Sequence, residues 1–259
     1  MSLPTIEKDI IELVQLFDGR ISYKIEKDEQ VIEYNSHDIY QSASLIKIPM
    51  LVEGFRQVEK NKIAFTQHVP FIQGDVAGGS GVLSALSNSL HLTVKDLLVL
   101  MTIVSDNTAT NMLISLLGME NINTCMDDLG MKDTMLQRRM MDLQAAADGR
   151  ENITTAADIV TCLKAIHKGD ELLSSSRQQI LEIMEKQQFC DKLPAMMGNE
   201  VKIANKTGSL DGVSHDAAII RYGSETVYAA ILTDQISSSE ESRQLISQIG
   251  KLIYDDLVE

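Results

Sequence analysis

The sequence predicts an α/β (α+β) protein with two lobes, in which an antiparallel sheet flanked by terminal helices carries an inserted all-α lobe. Strand-like patterns occur only towards the two ends of the chain, whereas the long middle is helical in pattern almost throughout. Glycine-containing turns connect consecutive strands, which favours antiparallel pairing. We therefore expect a single domain over 1–259, with an α/β lobe from 1–43 and 195–259 and an all-α lobe from 44–194.

The N-terminal elements follow from two different periodicities. Apolar residues recur at helical spacing over 5–17, which predicts an amphipathic helix. Two strand-like runs follow at 20–25 and 30–34, on either side of the charged turn Glu26-Lys27-Asp28-Glu29. These runs supply the first two strands of the predicted sheet.

The middle and the C-terminal part of the chain supply the remaining elements. Helical patterning predicts helices over 44–60, 93–103, 107–117, 119–129, 155–168 and 175–187. Strand patterning returns at 201–206, 216–222 and 226–233, and a last amphipathic helix covers 239–257. The two chain ends therefore build the sheet and its covering helices together.

The charge composition disfavours two classes of partner. Lys and Arg total 23 against 37 acidic residues, a net charge of −14, which disfavours nucleic acid and anionic membranes as partners. The three cysteines have no paired spacing, so we expect neither a disulfide framework nor a metal site, and no cofactor is implied.

Met1-Ser2-Leu3-Pro4 does not resemble a signal peptide, and no apolar run reaches the ~18 residues of a membrane span. We expect a cytoplasmic monomer that binds a small molecule; the alternative is an exported protein whose signal was removed.

Chemistry is concentrated in three short strings. In chain order they are Ser44-Leu45-Ile46-Lys47, Ser105-Asp106-Asn107 and Lys206-Thr207-Gly208. If Ser44 opens a helix, the amine of Lys47 lies on the same side and can reach the hydroxyl. Serine is a weak nucleophile that needs such a base beside it. The three strings in this order are typical of serine β-lactamases and penicillin-binding proteins.

On these motifs the chain resembles the class A β-lactamase branch of the serine penicillin-recognising enzymes. The resemblance runs from about Asp18 to the C-terminus. Further matches are Gly78-Gly79-Ser80-Gly81-Val82-Leu83, Thr93-Val94-Lys95-Asp96-Leu97-Leu98, Asn107-Thr108-Ala109-Thr110-Asn111, Thr154-Thr155 and the stretch from Lys206 to His215-Asp216. The resemblance implies a two-lobed β-lactamase-like fold and a serine hydrolase that needs no metal or cofactor.

The first two strings supply the reaction groups. We expect Ser44 to be the nucleophile, Lys47 its base and Ser105 a proton relay. Asn107 is expected to orient Lys47 and a substrate amide, and Asp106 to brace the loop. The backbone N–H of Ser44 is free at a helix start and is expected to bind an oxyanion.

The third string supplies substrate recognition beside the nucleophile. Lys206 and the hydroxyls of Thr207 and Ser209 are suited to a substrate carboxylate, while Gly208 lets a ligand approach the backbone closely. In the resembled family the residue after this glycine gives the second oxyanion donor, which here is the N–H of Ser209. His215 and Arg221 are weaker candidates for adding positive charge, and a Ser44–His215–Asp216 triad is a minor alternative.

The chain departs from the resembled family on the loop before Thr154-Thr155. That family carries a glutamate there, which activates the water for deacylation, and this sequence has none. Asp142 is the nearest acid and is our candidate replacement; Gln144 is a possible substitute for the following asparagine. Asn152 stands where the family often has an aspartate that pins the loop. We therefore expect acylation to be intact and deacylation to be slow.

Several functions remain open at this point. The first is β-lactam hydrolysis through an acyl-enzyme on Ser44. The alternatives are a D-alanyl-D-alanine peptidase or small esterase with the same residues, and more remotely a glutaminase that shares the S-x-x-K spacing. A penicillin-binding sensor that stays acylated is an alternative from another class, and a non-catalytic scaffold is the least favoured.

Overall fold

Five strands form one antiparallel sheet, in the spatial order Gln30–Tyr34, Arg20–Lys27, Glu225–Asp234, Val213–Tyr222 and Lys202–Leu210. The computed structural model describes residues 3–87 and 89–258; the predicted domain limits 1 and 259, and Met1 and Ser2 of the N-terminal segment, lie outside the described residues. The sheet strands are β1 (Arg20–Lys27), β2 (Gln30–Tyr34), β7 (Lys202–Leu210), β8 (Val213–Tyr222) and β9 (Glu225–Asp234). Short pairs are formed by β3 (Tyr40–Gln41) with β6 (Ile153–Thr154), and by β4 (His68–Val69) with β5 (Leu92–Thr93).

Helices supply the rest of the described structure. They are α1 (Leu3–Gln15), α2 (Lys47–Glu59), α3 (Val94–Ile103), α4 (Asn107–Leu117), α5 (Met119–Asp128), α6 (Leu143–Ala147), α7 (Ala156–Lys168), α8 (Ser174–Met184) and α9 (Ser239–Val258). Short 3-10 turns lie at Ala43–Ile46, Gln73–Asp75, Leu83–Ala85 and Leu193–Met196. No helix in the part of the chain that the structure describes is long and apolar enough to cross a membrane.

The two faces of the sheet belong to two different hydrophobic cores. On β8 and β9, Ala218, Ile220 and Ile231 belong to a core shared with α1 and α9. The alternate residues Ile219 and Leu232 belong to the larger core of the helical region. Because successive side chains of a strand point to opposite faces, this alternation places a helical layer on each side of the sheet. The mixed fold with an antiparallel sheet confirms the predicted fold class.

Local capping explains why several helices begin where the sequence predicts them. Thr93 and Asp96 form a reciprocal capping box at the start of α3, with hydrogen bonds in both directions between side chain and backbone. Asp106 caps α4 through the N–H of Ala109, and Thr155 caps α7 through the N–H of Asp158. These short signals lie within four residues of each helix start, so the sequence alone reveals them.

The structure also differs from the predicted elements in several places. The helix predicted from Ser44 is a 3-10 turn that becomes α2 only at Lys47. The strand predicted to end at Lys206 continues to Leu210, because β8 pairs with β7 as far as Leu210. The five-residue helix α6 is too short for a periodic pattern and was not predicted. Glu26 and Lys27, predicted to lie in the charged turn, belong to β1 because they pair with β2, and β8 begins at Val213 instead of 216 because it pairs with β7 from there. The first two differences place Ser44 and Ser209 on opposite sides of one cleft.

Candidate active site

Ser44 lies in the 3-10 turn Ala43–Ile46, immediately before α2. It lines a cavity of about 310 Å³ together with Gly79, Asn107 and Ser209. It also borders an adjoining cavity of about 200 Å³. The hydroxyl is thus accessible at the floor of a cleft between the helical region and the sheet, as a nucleophile must be.

Lys47 is buried one turn below Ser44. Only 1% of the residue is exposed, and its Nζ lies 2.8 Å from the Ser105 carbonyl oxygen, 3.1 Å from Ser105 Oγ and 2.8 Å from Asn107 Oδ1. Burial lowers the pKa of Lys47 well below its ordinary value, and the nearby charge of Lys206 lowers it further. A neutral amine is therefore accessible to this side chain, as a general base requires. In the described part of the chain, no hydrogen bond joins Nζ to Ser44 Oγ, an arrangement common before substrate binds.

Ser105 connects the two buried lysines. Its Oγ lies 3.1 Å from Lys47 Nζ and 3.1 Å from Lys206 Nζ. A protonated Lys206 has only donors, so it must donate to Oγ, and Oγ–H is then free to donate to the lone pair of a neutral Lys47. The three groups form a continuous path for a proton, with Ser105 also lining the 200 Å³ cavity.

The loop around Ser105 is held rigidly. Asp106 accepts hydrogen bonds from the N–H groups of Val82 and Leu83 at 2.6 and 2.8 Å, as well as capping α4. Asn107 donates from Nδ2 to the carbonyl oxygen of Gly78 at 2.8 Å while its Oδ1 accepts from Lys47. Asp106 thus joins the loop to residues 82 and 83 and to α4, and Asn107 links Lys47 to the Gly78 turn.

Strand β7 passes very close to Ser44. A Cβ at Gly208 would lie 3.1 Å from Ala43 Cβ and 3.3 Å from the backbone nitrogen of Ser44, so a side chain has little space here. The next residue, Ser209, lines both cavities with Ser44, and Thr207 lines the smaller one. Both predicted oxyanion donors, the N–H groups of Ser44 and Ser209, belong to residues of this shared cleft.

Lys206 lies behind the cleft wall. It is 1% exposed and donates to Ser105 Oγ and, at 2.8 Å, to the carbonyl oxygen of Thr207. Burial lowers its pKa to about 7, a shift that Lys192 adds to and Asp216 opposes. Its charge thus acts on the cleft from behind Ser105 and Thr207.

Lys192 is a site residue that the sequence did not reveal. It precedes the 3-10 turn Leu193–Met196 and lines the 200 Å³ cavity with Ser44, Ser105 and Thr207. Its Nζ donates to three oxygens, each at 3.0 Å: the carbonyls of Gly208 and His215, and Ser209 Oγ. Lys192 lies outside any periodic element and has no motif around it, so only the tertiary structure brings it to the cleft.

His215 and Asp216 do not form a triad with Ser44. The ring of His215 lies 2.8 Å from the carbonyl oxygen of Gln41 through Nε2, and its Nδ1 accepts from the N–H of Thr233 at 3.1 Å. Both ring nitrogens are therefore occupied, and burial lowers the pKa of His215 to about 4, so the ring is neutral. The alternative triad is wrong for this reason, and His215 adds no positive charge.

The other weak candidate for positive charge, Arg221, is also outside the site. It lies near the far end of β8, where it forms an ion pair with Glu185. Asp216 is fully buried, and its oxygens accept from the N–H groups of Leu193 and Ala217. Burial raises the pKa of Asp216 to about 7. This carboxyl joins the Leu193 turn to β8 instead of facing the cleft.

The loop that differs from the resembled family presents methionines to Ser44. Met140 and Met141 line the 310 Å³ cavity. The side-chain amide of Asn111 bonds both the N–H and the carbonyl oxygen of Met140, at 2.8 and 3.2 Å, which fixes this point of the loop. Although Asn152 stands where the resembled family often has an aspartate, its side-chain oxygen still holds the loop, through the backbone N–H groups of residues 137 and 138 at 2.7 and 2.9 Å.

Asp142 faces another part of the surface. Its carboxylate caps α6 through the N–H of Ala145 at 3.0 Å, and it borders a separate depression on the far side of Met141. Gln144 donates to Asp148, also away from Ser44. Glu151 does line the cleft, with Oε1 bound by the guanidinium of Arg138. The proposed role of Asp142 in deacylation therefore has no geometric support beyond its proximity in sequence.

Three residues at the cleft have unfavourable backbone conformations. Ala43, Ser105 and Met141 have φ values of 45°, 54° and 61°, in the left-handed region that residues of these types rarely adopt. All three line the cavities beside Ser44. Such conformations cost about 1–3 kcal/mol each and persist where surrounding contacts enforce them, as they do in many active sites.

Comparison with known proteins agrees with this geometry. The sequence model of the Beta-lactamase enzyme family matches residues 5–257. Beta-lactamase AER-1 of Aeromonas hydrophila is 30% identical over 167 residues, which are 58% of this chain and 52% of AER-1. Beta-lactamase L2 of Stenotrophomonas maltophilia is 24% identical over 228 residues, 85% of this chain and 75% of that protein. The chain thus spans about half the length of AER-1.

Solved structures share the whole fold. A beta-lactamase from Sphaerobacter thermophilus has a TM-score of 0.92 and 29% identity, covering 98% of this chain and 97% of the other. PBP-A has a TM-score of 0.90 and 24% identity, covering 98% and 96%. Fold and site together define a hydrolase of the class A β-lactamase type. The chain belongs to the beta-lactamase enzyme family, which confirms the predicted family and enzyme class.

Proposed function

We propose that the chain is a serine hydrolase that forms an acyl-enzyme on Ser44 with β-lactams and releases the product slowly. The observation that carries this proposal is the buried path Lys47–Ser105–Lys206 directly behind an accessible Ser44. A surface lysine near a serine would have no such path and an ordinary pKa. Family membership supports the same chemistry.

The residues allow a balanced sequence of steps. Ser44 Oγ attacks the carbonyl carbon of the substrate, and its proton passes to the neutral amine of Lys47. The N–H groups of Ser44 and Ser209 bind the oxyanion. Lys47 returns the proton through Ser105 to the leaving nitrogen as the C–N bond breaks, which leaves an ester on Ser44. Water must then cleave this ester.

A penicillin-binding sensor is the second candidate, because methionines occupy the loop beside Ser44. Met140 and Met141 offer no group that takes a proton from water. A positioned general base contributes roughly 10²–10⁴-fold to such a step, so its loss prolongs the acyl-enzyme. A mutant of PBP-A has itself been solved as an acyl-enzyme complex with penicillin G.

The test is incubation with a chromogenic cephalosporin followed by intact-mass measurement. We expect a pre-steady-state burst, an adduct on Ser44 and weak turnover. Ser44→Ala should lower the acylation rate by roughly 10³-fold or more. Ser80→Ala, a serine of the same cleft, is the matched control and should keep the adduct.

Each other outcome identifies an alternative. A permanent adduct without turnover indicates the sensor, and reaction only with D-alanyl-D-alanine peptides or small esters indicates the peptidase or esterase. An adduct that persists in Ser44→Ala overturns the assignment of the nucleophile. The absence of any reaction with all three substrate types contradicts the proposed function.

A further inference from the structure

Met141 is a methionine that is both exposed to solvent and part of the cleft wall. It is 43% exposed, whereas Met140, which also lines the Ser44 cavity, is only 8% exposed. Met135 and Met196 are exposed to a similar degree but line neither cavity of the cleft. Among the described methionines, Met141 is therefore the one that combines exposure with a place beside Ser44.

The side chain of Met141 separates two spaces. On one side it lines the 310 Å³ cavity with Ser44, and on the other it borders the depression that Asp142 also borders. A small oxidant can therefore approach this side chain from the cleft or from the outer surface. Thioethers of exposed methionines are readily oxidised to sulfoxides, which replaces a flexible apolar side chain by a polar one.

The sulfur of Met141 lies close to the amide that holds Lys47. Sδ of Met141 lies 3.4 Å from the position of a Cβ at Gly79, and Nδ2 of Asn107 lies 2.9 Å from the same point. This Nδ2 donates to the carbonyl oxygen of Gly78, while Oδ1 of Asn107 accepts from Lys47. A thioether sulfur is only a weak acceptor, so it does not compete for Nδ2, whereas a sulfoxide oxygen does. Oxidation thus places a competing acceptor near this amide.

We propose that Met141 is a modification site, at which a peroxide forms the sulfoxide and thereby slows the acylation of Ser44. The effect on acylation rests on the proposed function. A lone pair of Sδ attacks one oxygen of hydrogen peroxide and the O–O bond breaks. The other oxygen leaves as hydroxide, which takes the proton of the transferred oxygen and becomes water. Sulfur is oxidised by two electrons, and the peroxide is reduced by two.

The sulfoxide slows acylation for two reasons. The wall formed by Met140, Met141 and Leu143 becomes polar at one point, and a substrate that covers the sulfoxide must remove water from it. A hydrogen bond between the sulfoxide and Asn107 also moves the amide that holds Lys47. Small displacements of reacting groups have large effects on rate.

The test measures acylation of the full chain by benzylpenicillin before and after treatment with hydrogen peroxide, together with peptide mass mapping. We expect the gain of a single oxygen at Met141 and a fall of roughly 10-fold in the second-order rate of adduct formation. Methionine sulfoxide reductases for both sulfoxide epimers, supplied with a dithiol, should restore the rate. The dithiol alone should not, which separates this effect from reversible oxidation of the exposed Cys190.

Four variants assign the effect to one residue, each compared with its own untreated rate. Met141→Leu should lose the sensitivity to peroxide, because leucine has no sulfur. Met135→Leu, at a methionine of similar exposure away from the cleft, and Cys190→Ser should both keep it. Met141→Gln puts a polar group at the same place, so its untreated rate should already be below that of the untreated wild type. This variant also decides the question if Met141→Leu fails to fold, as judged by its thermal transition.

Other results overturn the inference in distinguishable ways. Sensitivity that persists in Met141→Leu, or a Met141 that stays reduced while the rate falls, would show that another residue is responsible. An oxidised Met141 with an unchanged rate, or a Met141→Gln that acylates as fast as the wild type, would show that a polar group is harmless there. Absence of an adduct in the untreated wild type would overturn the proposed function and the effect on acylation, while the mass map still decides whether Met141 is the modified residue.

Discussion

At the scale of single residues, burial of basic groups is what gives the cleft its chemistry. Lys47, Lys192 and Lys206 are all buried near Ser44, in a chain whose net charge is −14. Burial lowers the pKa of each of the three amines. The lowered pKa makes the neutral form of Lys47 more accessible as a proton acceptor, and it makes the charge of Lys206 depend on pH.

This arrangement predicts a pH profile that depends on the substrate. Lys206 loses its proton as pH rises through about 7, and the cleft then has less positive charge for a carboxylate. The acylation rate with benzylpenicillin should therefore fall on the alkaline side, whereas that with its methyl ester should fall less. At low pH both rates should fall, because Lys47 becomes protonated and cannot act as a base. The measurement is the rate of adduct formation with each substrate across pH. If the rates with benzylpenicillin and with its methyl ester fell equally on the alkaline side, the prediction would be wrong.

At the scale of elements, the contact of β7 with the Ser44 turn sets the geometry for the proposed acylation. Gly208→Ala places a Cβ 3.1 Å from Ala43 Cβ and 3.3 Å from the nitrogen of Ser44, so one of the two backbones must move. We expect the acylation rate to fall by roughly 10–100-fold, because small misplacements of reacting groups have large effects on rate. Gly74→Ala is the control, since nothing lies within 4 Å of its Cβ position. Equal acylation rates in Gly208→Ala and Gly74→Ala would show that β7 and the Ser44 turn can move apart without loss of activity.

From the position of Asp142 in the loop before β6 we predict that its substitution has little effect. Asp142 caps α6 and does not border the Ser44 cavity, so Asp142→Asn should leave the lifetime of the acyl-enzyme nearly unchanged. Intact-mass decay of the adduct is the measurement. A lifetime lengthened by roughly 10²-fold or more would show that Asp142 reaches the water. The same assay on Glu151→Gln tests the acid that does line the cleft, whose Oε1 is already bound by Arg138.

Features that depend on a few neighbouring residues could be predicted from the sequence, whereas contacts between distant segments could not. The first two strings predict Ser44, Lys47 and Ser105 as site residues, because their spacing reflects one turn of chain or one capping loop, and the structure brings these residues to one cleft. The proximity of Lys192 to Ser209 depends on how the Leu193 turn packs on β8, which no short-range pattern contains. The end of β7 was missed for a related reason: its polar residues become a strand only by pairing with β8.

At the scale of the whole molecule, the active site should reduce stability. Lys206 has an ordinary pKa of 10.5 in the unfolded chain and about 7 in the folded protein. Between these values the unfolded chain holds the proton more strongly, so the contribution of Lys206 to the free energy of unfolding rises with pH. Below about pH 7 both states are protonated, and the folded protein bears the full cost of the buried charge. Asp216 has the opposite effect between pH 3.8 and about pH 7. There the folded protein holds the proton of Asp216 more strongly than the unfolded chain does, so the contribution of Asp216 to the free energy of unfolding falls with pH.

We therefore predict that Lys206→Met is more stable than the wild type at about pH 6 and that the difference shrinks towards about pH 9. The expected gain in Tm near pH 6 is roughly 5 °C, because relief of the charge outweighs the lost hydrogen bonds to Ser105 and Thr207. Acylation should be lost in the same variant, the usual exchange of activity for stability at a functional site. Thermal unfolding at the two pH values is the measurement, with Lys186→Met as the exposed control whose Tm difference should stay near zero. A variant that is less stable at the lower pH, or a difference that grows with pH, would show that Lys206 is stabilised in its site as a charged group.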